Sequence, residues 1–78
     1  MTAKISDPLH AFGKVLREVR LAKDLSQEEL AARAGIHRTY IGDVERGTRN
    51  IALINMTKIA RALGVPLSRL IEDTEKLR

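Results

Sequence analysis

Apolar residues recur along the chain at helical spacing and are broken at regular intervals by capping residues. Leu9, Phe12, Leu16 and Val19 form one stripe, predicting a first helix over about residues 8–23. Asp7-Pro8 opens it, with Asp as N-cap and Pro at the first helical position. Lys23-Asp24-Leu25 interrupts the stripe. Ser26 and Glu29 then form a capping box, which starts a second helix over 27–34. Gly35 ends it, because glycine takes a left-handed cap at little cost. Ile41 and Val44 mark the buried side of a third helix over 38–46, stopped by Gly47. Leu53, Met56, Ile59, Ala60 and Leu63 define a fourth over 52–63, ending at Gly64. Pro66 is expected at a first helical position, and Leu67, Leu70 and Ile71 give one face of a fifth helix over 67–73. Residues 74–78 are expected to fray. No alternation of period two is present, so the reading is all-α: five short helices in one domain spanning residues 1–78.

The middle of the chain carries a tighter constraint. Leu30 faces inward on the second helix, and the small Ala31 lets the third helix cross close by. Gly35 makes the turn and Ile36 fills its inside. Ile41 and Val44 fill the space between the two helices. Two helices crossing steeply over a short turn need this order of small, glycine and apolar residues, which is a helix-turn-helix.

At about 100° per residue, Thr39, Gly42, Asp43 and Arg46 fall on the arc opposite Ile41 and Val44, and Arg38 stands in the first turn. A helix presenting Arg and Thr at its start suits the major groove of DNA, where Arg donates two hydrogen bonds to guanine. Arg38 and Thr39 are therefore candidate base contacts. Asp43 is a third, since its carboxylate can accept from cytosine N4. Phosphate would be held by free N–H groups at the start of the second helix, with the Gln27 amide, and by Arg46, Thr48, Arg49 and Asn50 in the polar loop after the third. Arg20 and Glu45 border the buried sides of the first and third helices and are expected to pair, holding the third helix against the first.

Charge agrees with a polyanionic partner. The 78 residues carry a formal net charge of +4, and from Arg38 to Arg61 five basic residues face two acidic ones. Other classes are poorly served. There is no cysteine, so no disulfide or thiolate metal site. His10 and His37 are the only histidines, and neither sits in a catalytic order; Glu28 and Glu29 are adjacent and point apart. An enzyme, a metal site and a cofactor are not expected. One Tyr and one Phe give no stacking platform for RNA. The longest apolar run is far short of the roughly 20 residues of a membrane span, and Met1 to His10 lacks the apolar core of a leader. The expectation is a soluble, cytoplasmic protein with no membrane partner. The competing reading is an antitoxin or protein-interaction module of the same fold, which would carry an apolar or acidic outer face on the third helix.

Leu25-Ser26-Gln27-Glu28-Glu29-Leu30-Ala31, Gly35 and Val44-Glu45-Arg46-Gly47 resemble the Xre/Cro-type helix-turn-helix family, which includes phage repressors of the lambda type; the likeness covers about residues 10–72. Arg38-Thr39-Tyr40-Ile41, Glu45-Arg46-Gly47 and Arg49-Asn50 are similar to the controller proteins of restriction–modification systems. The resemblance implies a five-helix, lambda-repressor-like DNA-binding domain, in which Arg38 and Thr39 contact bases, Tyr40 and Arg49 support backbone or base-edge contacts, and Gln27, Arg46 and Asn50 hold phosphates. It also implies dimerisation through the C-terminal part. Independently, Leu53, Ile54, Met56, Leu63, Val65, Leu67, Leu70 and Ile71 supply more apolar surface than one small core needs, so Leu67 and Ile71 are candidates for a homodimer interface. Such a dimer would bind a palindromic operator in double-stranded DNA and block or recruit RNA polymerase.

Overall fold

The computed structural model describes residues 4–78. Residues 1–3, part of the N-terminal stretch and of the 1–78 span considered above, lie outside the described residues. Five helices follow in order: α1 (Pro8–Ala22), α2 (Gln27–Ala34), α3 (Arg38–Glu45), α4 (Leu53–Leu63) and α5 (Leu67–Lys76). The starts of α1 and α2 carry the caps legible in the sequence. The Asp7 carboxylate accepts from the Leu9 N–H at 2.9 Å, ahead of Pro8 at the first helical position. The Ser26 hydroxyl accepts from the Glu29 N–H at 3.0 Å, while the Glu29 carboxylate accepts from the Ser26 N–H at 2.9 Å. Hydrogen bonding to Ser26, from its backbone N–H first and its hydroxyl second, holds the Glu29 carboxyl below its ordinary value.

α1 packs against α3 and α5, α2 against α3 and α4, and α4 against α5. Leu16, Leu30, Ile41, Val44, Ile59 and Leu70 are fully buried where these layers meet, with Phe12, Val15, Leu63 and Val65 around them. Each helix contributes to this centre, which is how helices of eight to fifteen residues become stable together.

Two expectations need correction. Residues 74–78 do not fray: α5 runs on to Lys76, beyond the expected end at 73. Thr74 is buried, its hydroxyl donates to the Leu70 carbonyl at 2.7 Å, and the Leu77 carbonyl accepts from the Ile5 N–H at 2.6 Å. A strand of chain ahead of α1 thus ties down the end of α5, a long-range contact invisible to local periodicity. Pro66 is the N-cap of α5 rather than its first helical residue; it has extended backbone (φ −68°, ψ 143°), and the helix begins one residue later.

Candidate nucleic-acid interface

The helix-turn-helix is formed by α2, the turn at Gly35-Ile36-His37, and α3. Gly35 takes the left-handed conformation (φ 69°, ψ 37°), which reverses the chain without a Cβ penalty. The Ile36 N–H donates to the Ala31 carbonyl at 3.0 Å, and the half-buried Ile36 packs against the core. Ala31, 4% exposed, sits beneath the crossing. No side chain caps α3, so its first backbone N–H groups have no side-chain partner at the end where Arg38 and Thr39 stand.

Behind this unit lies a buried ion pair. The Arg20 guanidinium donates from Nε to Glu45 Oε2 at 2.7 Å and from Nη2 to Oε1 at 3.0 Å, while Nη1 donates to the Leu25 carbonyl at 2.8 Å. Side-chain exposure is 8% for Arg20 and 4% for Glu45. The hydrogen bond to Glu45 pushes the Arg20 pKa further up, against the opposing pull of burial. Glu45 Oε1 also accepts from Gln27 Nε2 at 3.0 Å. One carboxylate therefore ties together α1, the start of α2 and the end of α3.

The structure brings Gln27, Arg38, Thr39 and Arg46 around one polar recess of about 260 Å³ on the outward side of α2 and α3. Arg38 and Thr39 are exposed, and Arg38 Nη1 donates to Glu28 Oε1 at 2.7 Å. Asp43 is half-buried and paired with Arg46 through Nη2 and Oδ1; its other oxygen faces Arg49 Nε at 3.9 Å. The Arg49 guanidinium lies over the Tyr40 ring, 4.9 Å from its centroid. The Thr48 hydroxyl closes the end of α3 by donating to the Asp43 carbonyl at 3.1 Å. Asn50 is exposed in the loop beyond.

Two details differ from the helical-wheel reading. Gly42 lies on the outward arc yet is buried, because the Arg46 guanidinium folds over it: a Cβ there would lie 3.2 Å from Arg46 Nη1. The Gln27 amide nitrogen, expected to face phosphate, is turned inward to Glu45. Sequence reasoning also missed Gly13, where α1 and α3 touch: a Cβ would lie 2.6 Å from the Glu45 carbonyl oxygen. A glycine in mid-helix, which costs about 1 kcal/mol against alanine, was the available signal.

On α5, Leu67 is half-buried against the core, and Ile71 is 37% exposed. Ile71 borders an apolar groove of about 310 Å³ shared with Leu9, Phe12, Ile51 and Met56. Leu53 and Ile54, in the first turn of α4, are the most exposed large apolar side chains among the described residues, at 66% and 65%. No helix among the described residues is long and apolar enough to cross a membrane.

Comparison with known proteins agrees with this geometry. The sequence pattern of the family described as "Helix-turn-helix" matches residues 16–70. Control protein C.BamHI of Bacillus amyloliquefaciens is 52% identical over 64 residues, covering 81% of this chain and 79% of that one. Control protein C.MunI of a Mycoplasma species is 47% identical over 66 residues, covering 83% and 89%. Among solved structures, the restriction-modification controller protein C.AhdI of Aeromonas hydrophila superimposes with a TM-score of 0.79 at 52% identity, covering 80% of this chain and 94% of that one. The fold and its outward recess define a helix-turn-helix DNA-binding transcription regulator, a class of regulators and not of enzymes. The chain belongs to the Xre-type helix-turn-helix family, among relatives that include the control proteins of restriction–modification systems.

Proposed function

We propose that the protein binds a palindromic operator as a homodimer and controls transcription of a restriction–modification operon in the cytoplasm. Each α3 enters the major groove, with Arg38 and Thr39 reading base edges at its start. The open N–H groups at the beginning of α2 beside Gln27, together with Tyr40, Arg46, Thr48, Arg49 and Asn50, hold the phosphates on either side and fix register. Leu67 and Ile71 on α5 face the second copy, placing the two recognition helices about 34 Å apart, one turn of DNA. Bound over a promoter, the dimer blocks or recruits RNA polymerase. A regulator of this kind responds to its own concentration, and coupling of dimerisation to binding makes the response steep.

The observation that carries this reading is the pairing of exposure and support. Arg38 and Thr39 stand in the open around a polar recess, on a helix braced from behind by the buried Arg20–Glu45 pair. The relatives called control proteins support the choice of operon. Selection of bound duplexes from a random pool, at several protein concentrations, tests the proposal. It predicts a two-fold symmetric site with half-sites one helical turn apart. A pool without enrichment, or a single asymmetric site bound by one chain, would contradict it.

A further inference from the structure

Asp43 is the only acidic side chain on the outward side of α3, since Glu45 is turned inward to Arg20. It stands between two cations assigned above to phosphate. Its Oδ1 is taken by Arg46 Nη2, and its Oδ2 faces Arg49 Nε at 3.9 Å. A carboxylate that read a cytosine amino group would need an oxygen free and aimed at the groove. Here Oδ1 already accepts from one guanidinium and Oδ2 faces the charge of a second, so a cytosine amino group would compete with two cations for the carboxylate.

Each cation is also held from a second side. The Arg46 guanidinium lies across Gly42, where a Cβ would come 3.2 Å from Nη1 and displace it by a few tenths of an ångström. The Arg49 guanidinium rests on the Tyr40 ring. Arg has five N–H donors, so a bond to Asp43 leaves both guanidiniums able to donate to phosphate. A cation held in place loses less rotamer freedom on binding than one sweeping through solvent. Non-specific binding accepts mobile cations, because any phosphate serves; a specific complex needs them in one register.

The geometry points to Asp43 as a positioning residue that aims Arg46 and Arg49 at the DNA backbone, in place of the base-reading role its wheel position suggests; this rests on the DNA-binding reading above. Its effect falls on discrimination. Asp43 lowers the charge of the cluster, which weakens attraction to DNA at large, yet it strengthens the complex whose phosphates match the fixed guanidiniums.

The test compares the protein with Asp43→Asn on two duplexes, the preferred site from a random pool and a scrambled one. Both are then repeated in a background carrying Arg46→Ala and Arg49→Ala, at low salt so that weak complexes stay within range. Asp43→Asn is expected to lose about three- to fivefold in affinity for the preferred duplex, the scale of exposed charge pairs, with scrambled binding unchanged or tighter. In the background without the two arginines the substitution is expected to leave the ratio of the two affinities unchanged, any gain from the lost negative charge being equal on both duplexes. A loss confined to one base pair that persists without the arginines makes Asp43 a base reader and overturns the proposal. An equal gain on both duplexes with the arginines in place makes it a mere repellent of phosphate and also overturns it. If the unaltered protein prefers no duplex at all, the DNA-reading function itself fails, an outcome distinct from either.

Discussion

Arg20 and Glu45, twenty-five residues apart, meet through two hydrogen bonds at the junction of α1, α2 and α3. Both side chains are almost wholly removed from water, and each of their nitrogens and carboxylate oxygens has at least one hydrogen-bond partner, the Leu25 carbonyl and the Gln27 amide included. The pair supports the recognition helix from behind, so its value lies as much in orientation as in stability. Removing one partner strands a buried charge. Arg20→Ala or Glu45→Ala is expected to cost about 3–5 kcal/mol in urea unfolding, most of the stability of a small domain. Replacing both together, Arg20→Met with Glu45→Leu, should recover much of that loss. A single substitution costing less than about 1 kcal/mol would mean that water reaches the pair.

Gly13 sets how closely α1 and α3 approach. Gly13→Ala offers about 1 kcal/mol of helix propensity, but its Cβ would press into the backbone of the last turn of α3, 2.6 Å from the Glu45 carbonyl oxygen. Backbone cannot swing aside as a side chain can, so the clash outweighs the propensity. Thermal unfolding should show a net destabilisation of about 1–3 kcal/mol, and a more stable variant would contradict the packing described.

The cap of α2 makes a prediction about acid. The Glu29 carboxyl is lowered in the folded chain by the Ser26 N–H and hydroxyl. Its contribution is therefore present above the ordinary carboxyl range and is lost as pH falls below that range, through the lowered value of the folded chain. Comparing melting temperatures of the protein and Glu29→Gln should show a gap at pH 7 that is narrower at pH 3. A gap of equal size at both would exclude capping by the charged form.

Ile71 tests the proposed self-association. It is 37% exposed and stands outside the cluster of buried core residues. Ile71→Glu is expected to sediment as a monomer with its helical content intact, and to bind the operator only at higher concentration. Dimers that persist would place the interface elsewhere, with the exposed Leu53 and Ile54 as the next residues to charge.

Helix starts were legible because Asp7-Pro8 and Ser26–Glu29 act locally, through bonds spanning two or three residues. The helix-turn-helix was legible because Ala31, Gly35, Ile36, Ile41 and Val44 impose a joint steric order on a short stretch. Arg20–Glu45 could be inferred because each residue borders an apolar stripe whose facing direction was already set. What stayed hidden depends on side chains reaching across the fold. The Leu77 carbonyl is held by the Ile5 N–H, some seventy residues earlier in the chain. Gly42 is buried by a flexible Arg46 that a helical wheel draws as a point. Asp43 was placed on the right face, but its engagement by Arg46 and Arg49 depends on how the loop after α3 folds back.

The central claim is that α3 reads DNA sequence from its first turn. The most direct test is affinity of Arg38→Ala for the preferred operator and for a set of operators each altered at one base pair. The account predicts a loss of about 1–3 kcal/mol on the preferred site and indifference to the base at one position of each half-site, with discrimination kept elsewhere. Equal weakening on every duplex, with preference intact at all positions, would contradict it and make Arg38 a phosphate contact.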